Sequence, residues 1–198
     1  TEELEILNSY PNIHPLSLNL VQFVIDTPLE KLIANGDIFG SHFIKSHTSD
    51  VLRMLLLWKY GGPYLDSDMI VRLELNQLSP NYICKDHGFL NGAIINLDTK
   101  RGRNFAEIFM KDMLENFNGT VWGSVGPDIF LNVMSKICGT SEVREMRNCD
   151  GFNLLPDEFC YPIKGLNYME LFDESDNSIK VMDKVEYSYV VHFWNKLS

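Results

Sequence analysis

The 198 residues carry 27 Asp and Glu against 17 Lys and Arg, a formal net charge of −10, with 45% hydrophobic and 22% charged residues. That length and balance suit one folded domain with a real core and exclude a disordered chain. The acidity excludes a nucleic-acid binder working through a basic face, and no apolar run approaches the ~18–20 residues of a membrane helix.

From the N-terminus, "TEELEILNSYPNIHPLSLNL" reads as the end of a helix leading into a strand, and the start at Thr1 suggests a trimmed chain. Strand character continues in "LSLNLVQFVID". Thr27-Pro28 then opens a short helix to about Ala34, ended by the turn chemistry of Asn35-Gly36-Asp37. The clearest helix is "SDVLRMLLLWKY", apolar nearly all round and therefore buried. Ser49 or Asp50 can cap its first turn, and Gly61 supplies the left-handed stop. "PYLDSDMIVRL" follows as a strand bent around two aspartates, and "GFLNGAIINLD" as a strand pair or hairpin turning at Asn91-Gly92. "RNFAEIFMKDMLENF" and the stretch from Pro127 to Ile137 have helical periodicity, and "YSYVVHFWN" is the last strand. Alternating strands and helices predict an α/β fold.

The cysteines are Cys84, Cys138, Cys149 and Cys160, with no CxxC pair to suggest a zinc ribbon or a thioredoxin motif. Cys138 and Cys149 bracket a short polar segment that makes a disulfide loop in an oxidising compartment; reduced structural thiols are the alternative. The triplet Asn118-Gly119-Thr120 is a glycosylation sequon that fits the secretory pathway.

The chemistry concentrates in "KYGGPYLDSD". Two carboxylates about 5 Å apart at an effective dielectric of ~20 repel by roughly 3 kcal/mol. A hard divalent cation converts that repulsion into a binding site. Asp66 and Asp68 fall at the end of a strand, where open α/β sheets place ligands, while Asp50 and Arg53 share one helix face at i and i+3. If Asp50 caps that helix, its partly positive end and the guanidinium favour a phosphate beside the metal. The blander alternatives are an acidic turn, an N-cap and a structural ion pair.

The run Ser49, Asp50, Arg53, Leu57, Gly61, Gly62, Tyr64, Asp66 and Asp68 resembles the DXD-motif nucleotide-sugar transferases. With "FLNGAIINLD", "VWGSVGPDIF", "LLPDEFCYPI" and "VVHFWNK" in that order, nearly the whole chain is similar to the α1,4-galactosyltransferase and α1,4-N-acetylglucosaminyltransferase family. The resemblance implies a GT-A fold, a mixed central sheet flanked by helices. Residues 1–198 would be a single catalytic domain lacking its first strand and an upstream anchor, the luminal part of a Golgi type II membrane protein.

By the same likeness the chain is a retaining transferase that takes a UDP-sugar donor. Mn²⁺, or Mg²⁺ as the alternative, is held by Asp66, Asp68 and His192. Asp50, Arg53, Tyr64, Asp66, Asn91, Gly92, Trp194 and Asn195 line the donor. Asp50 and Arg53 count with the two aspartates as catalytic. Gly126, Pro127 and Asp128 shape the side of the glycolipid or glycoprotein acceptor. Asp128 stands where the family's galactosyltransferase has Gln, so it is not assigned as a nucleophile. Two other readings stand beside this one. One is a catalytically impaired homologue that still binds metal and UDP. The other is a haloacid-dehalogenase phosphatase, disfavoured by Ile70 where Thr or Val is usual and by the poor match of "SDNSIKVMDK" to its remaining motifs.

Overall fold

A computed structural model describes residues 2–172 and 177–194. The chain opens with helix α1 (Glu2–Asn8). The strand expected over "LSLNLVQFVID" is absent: a single helical turn, α2 (Leu20–Phe23), stands in its middle. Asn19 caps that turn by accepting from the Gln22 N–H, and no strand among the described residues pairs with the segment, so its β-forming residues have no ladder there to join. Leu16 is left 90% exposed. The next short helix, α3 (Glu30–Ala34), ends where Gly36 turns left-handed at φ 82°, as the Asn-Gly pair predicts.

Helix α4 (Ile44–Tyr60) begins five residues before the expected Ser49. Ser49 and Asp50 are therefore interior positions rather than caps, and the helix N-terminus does not lie beside Asp50 and Arg53. His47 explains the extension. Its imidazole is fully buried, bonded to Ser41 Oγ at 2.8 Å and to Trp122 O at 3.0 Å, which anchors the extra turn. Gly61 ends the helix at φ 71°, with its N–H on Leu57 O.

Strands β1 (Pro63–Leu65) and β2 (Met69–Val71) are separated by the aspartates, as the bend in "PYLDSDMIVRL" predicts. A tight hairpin follows, β3 (Tyr82–Asp86) to β4 (Phe89–Asn96). Its turn is His87-Gly88, both at positive φ, not Asn91-Gly92. Asn91 and Gly92 lie inside β4, where the register slips: Ile83 faces Ile95, but Cys84 faces Asn91. The extra β4 residues bulge, and Ala93 and Ile94 consequently join the same apolar cluster instead of alternating between two.

Helices α5 (Lys100–Asn116) and α6 (Pro127–Cys138) occur where periodicity places them. Thr99 caps the first by accepting from Gly102 N–H, and left-handed Gly139 closes the second. Strands β5 (Asn148–Cys149) and β6 (Phe152–Leu155), helices α7 (Asp157–Cys160) and α8 (Asn177–Val185), and strand β7 (Val190–His192) complete the described chain. The five-stranded sheet has the order β1-β4-β3-β6-β5, with β3 and β6 parallel and the other pairs antiparallel. Strands β2 and β7 form a separate antiparallel pair. This is the expected α/β architecture with a mixed sheet.

Period-two alternation divides the sheet's side chains. Ile83, Ile95, Phe152 and Leu154 join α4, α5 and α6 in the larger core, where Phe109 meets Phe130 and Phe152 edge-on at 5.2 and 5.9 Å. Tyr82, Cys84 and Ile94 instead pack with Tyr161 and Val190. Disulfides join Cys138 to Cys149, as the spacing predicts, and Cys84 to Cys160, which it does not. Among the described residues no helix is long and apolar enough to cross a membrane.

Candidate active site

The two aspartates occupy the step from one sheet to the other. Asp66 N–H makes a last bond to Ala93 O at 2.8 Å as β1 ends, and Met69 N–H closes back on Asp66 O at 3.2 Å. The chain then enters β2, whose Met69 faces His192 of β7, while Phe193 N–H bonds Asp68 O at 2.9 Å. This pairing carries a histidine from the far end of the sequence to the aspartates. His192 Nε2 lies 3.2 Å from Asp68 Oδ1, and one donor atom each from Asp66, Asp68 and His192 falls within 4.8 Å of the others. An octahedral ion such as Mg²⁺ holds oxygens at about 2.1 Å, so opposed ligands stand about 4.2 Å apart. Two carboxylates and an imidazole thus fit a cation of the Mg²⁺ or Mn²⁺ kind.

Arg53 organises the adjoining wall. One guanidinium nitrogen, Nη1, pairs with Asp50 and the other, Nη2, reaches Asp66 Oδ1 at 3.1 Å. Tyr64 OH donates to the same Asp66 oxygen at 2.8 Å, and its ring lies 4.8 Å below the guanidinium carbon. Burial works against the Arg53 charge, but the carboxylates of Asp50 and Asp66 outweigh it and hold the group protonated, above its ordinary range. Burial pushes the Asp50 carboxyl up, opposed by Arg53. Burial likewise raises the Tyr64 phenol, which keeps it neutral and able to donate.

Asn91 and Gly92, in the bulge of β4, continue this wall. Asn91 Nδ2 donates to Asp86 Oδ2 at 3.0 Å, and Asn91 Oδ1 accepts from Ala93 N–H at 3.0 Å. Burial raises the Asp86 carboxyl, an effect the Asn91 bond opposes. Gly92 is needed for space: an added Cβ would stand 2.7 Å from Phe130 Cε2 and 3.3 Å from Arg53 Nη1.

Asp50, Arg53, Tyr64, Asp66, Asp68, Asn91, Gly92 and His192 line a cavity of about 660 Å³, in the size range of small-ligand sites. Pro127 and Trp194 are among its walls. Trp194 adopts φ 53°, packs tilted against His192 at 4.1 Å between ring centroids and 44° between planes, and has a buried indole N–H with no partner among the described residues. Gly126 lies behind the wall, where a Cβ would meet Asp50 Oδ2 at 2.8 Å. Asp128 is exposed, its carboxylate against Gly123, and is not part of the lining. Asn195 lies outside the described residues. Sequence reasoning did not pick out Ser46, Trp122 and Phe130, which also line the cavity, or Tyr161, whose OH bonds Asn91 O at 3.3 Å. Trp122 and Phe130 flank the Gly126-Pro127 pair in the sequence, which was the available signal.

The carboxylate pair at this sheet crossing, beside Arg53 and the cavity, is an Asp-x-Asp of the kind that marks the DXD class of sugar transferases. The model of the glycosyltransferase sugar-binding region containing the DXD motif matches residues 16–84. That of the alpha 1,4-glycosyltransferase conserved region matches residues 98–198, just over half of the chain. The chain belongs to this alpha 1,4-glycosyltransferase family, which sets the phosphatase reading aside. It is 32% identical over 195 residues to lactosylceramide 4-alpha-galactosyltransferase of Homo sapiens, covering 98% of this chain and 54% of that protein. The Pongo pygmaeus protein of the same name is 32% identical over 189 residues, which is 96% of this chain and 85% of the relative. Alpha-1,4-N-acetylglucosaminyltransferase of Homo sapiens is 26% identical over 212 aligned residues, covering 97% of this chain and 55% of that protein. The chain thus spans about half the length of most of these curated relatives. No solved structure matches it.

Proposed function

We propose that residues 1–198 form a GT-A-type catalytic domain of a retaining, metal-dependent hexosyltransferase. It moves galactose or an N-acetylhexosamine from a UDP-sugar to a terminal sugar hydroxyl of a glycolipid or glycoprotein, in α1,4 linkage. The observation that carries this reading is the convergence of Asp66, Asp68 and His192 on one point of the cavity wall, in a chain of this family. Asp68 and His192, with Asp66, would hold Mn²⁺ or Mg²⁺, which when bound supplies positive charge against the phosphates of the departing UDP. Asp68 is the stronger ligand, because Asp66 already serves Arg53 and Tyr64 through Oδ1. Asp50 and Arg53 orient the donor sugar and its phosphate side, and the indole N–H of Trp194, which has no partner among the described residues, is available to a phosphate oxygen.

Every carboxylate lining the cavity is engaged: Asp50 by Arg53, Asp66 by Arg53 and Tyr64, and Asp68 by His192. This supports attack by the acceptor hydroxyl on the face UDP leaves, with the donor phosphate taking the proton and no enzyme nucleophile. Gly126, Pro127 and Asp128 remain the acceptor side of the proposal. Pairing of all four cysteines supports a lumenal location such as the Golgi.

Thermal unfolding with UDP, with and without Mn²⁺, tests the site. At about 100 times its dissociation constant a ligand adds ~2.7 kcal/mol, a shift on the order of 5–10 °C for this size. The shift should require both ligands and vanish in Asp68→Ala. Its absence from the folded protein would sink the proposal. An impaired homologue that binds without turning over is the second reading. Hydrolysis or transfer of UDP-galactose and UDP-N-acetylhexosamines separates the two.

A further inference from the structure

We propose that Asn118 is an N-glycosylation site that carries an oligosaccharide on its side-chain amide. Asn118-Gly119-Thr120 is the only Asn-x-Ser/Thr triplet in the sequence, and its middle residue is not Pro. It lies between α5 and the 3₁₀ turn Trp122–Val125, with Asn118 and Thr120 exposed and Gly119 partly buried.

The segment is docked by its middle residue. Gly119 O accepts from His42 N–H at 2.9 Å and from Ser41 Oγ at 3.2 Å, and an added Cβ would stand 3.1 Å from Ser41 Cα. Ser124 Oγ donates to Asn118 O at 2.8 Å and accepts from Asn118 N–H at 3.3 Å, so the backbone is held from both sides. With Gly119 turned in, the flanking side chains face solvent. Asn118 Oδ1 accepts from Thr120 Oγ1 at 2.7 Å and from Thr120 N–H at 3.0 Å, the local turn that Asn side chains favour. Nδ2 is therefore the open end of the amide, and it bonds no group among the described residues.

The co-reactant is an oligosaccharide linked to a lipid diphosphate. An Nδ2–H bond breaks and an Nδ2–C1 bond forms at the anomeric carbon. The C1–O bond to the lipid diphosphate breaks, the diphosphate leaves with the electron pair, and the proton passes to solvent. The required compartment is the oxidising one in which both disulfides persist. The inference does not depend on the transferase reading, so either can fail alone.

The test is peptide mass spectrometry of the full-length protein made in a eukaryotic secretory host, before and after treatment with peptide N-glycosidase. The peptide containing Asn118 should carry a glycan and return with Asp at that position once the glycan is removed. Thr120→Ser should keep the glycan, and Thr120→Ala should lose it. Folded, secreted protein with Asn118 unmodified overturns the proposal, as does a glycan retained in Thr120→Ala. The unmutated protein decides the matter even where Thr120→Ala fails to fold.

Discussion

Arg53→Met removes a charge while keeping most of the side chain's length. Arg53 is 6% exposed and joins two carboxylates, Asp50 on its own helix and Asp66 at the end of β1. Without it Asp50 stays largely buried with no counter-charge. Breaking a buried pair from one side costs about 3–5 kcal/mol, and at ~2–4 °C per kcal/mol the melting temperature should fall by roughly 6–20 °C. The loss should depend on pH. Burial already lifts the folded-state pKa of Asp50, and loss of Arg53 removes the interaction opposing that rise. A carboxyl whose folded pKa is raised contributes stability below its unfolded pKa and loses it as pH rises through the folded value. The difference in melting temperature between variant and parent should therefore be widest near neutral pH and narrow as the solution is acidified, where Asp50 takes a proton instead. Scanning fluorimetry across that range gives the measurement. In Asp50→Asn/Arg53→Met the difference should be smaller and nearly flat with pH. A small loss in Arg53→Met, or one independent of pH, would refute the assignment of Asp50 and Arg53 as a buried ion pair.

Gly92→Ala should destabilise by about 1–3 kcal/mol, because the new methyl meets Phe130, itself pinned edge-on against Phe109; chemical denaturation checks this, and an unchanged midpoint would contradict the packing. His192→Ala should abolish the Mn²⁺-dependent part of the UDP thermal shift, whereas the same change at His47 should lower stability and leave the metal requirement in place. The disulfides should differ in worth. Loop-closure entropy gives roughly 3 kcal/mol for Cys138–Cys149, separated by 11 residues, and about 4.5 kcal/mol for Cys84–Cys160, separated by 76. Paired Cys→Ala variants should rank in that order by denaturant midpoint.

The helices were legible wherever apolar periodicity ran long, as in α4, α5 and α6, because each buries one face in a shared core. Boundaries were less so. The early start of α4 depends on a hydrogen bond from buried His47 to Trp122, far away in the sequence, which no local pattern encodes. The Asn91-Gly92 pair misled for a related reason. Two-residue turn chemistry is local, but Phe130 demands a glycine at that place in a bulged strand, and His87-Gly88 makes the turn. "LSLNLVQFVID" has β-forming residues, yet a strand exists only where a partner offers its backbone.

The sequence by itself determined the α/β class, the family and the chemistry of the aspartate pair, since residue type and close spacing carry those. Only the tertiary structure decided what surrounds the pair. Antiparallel pairing of β2 with β7 brings His192 to Asp68, and the bulge in β4 sets Gly92 against Arg53. Both are matters of register between strands distant in the chain, and register is fixed by the packing of the whole sheet rather than by any one segment.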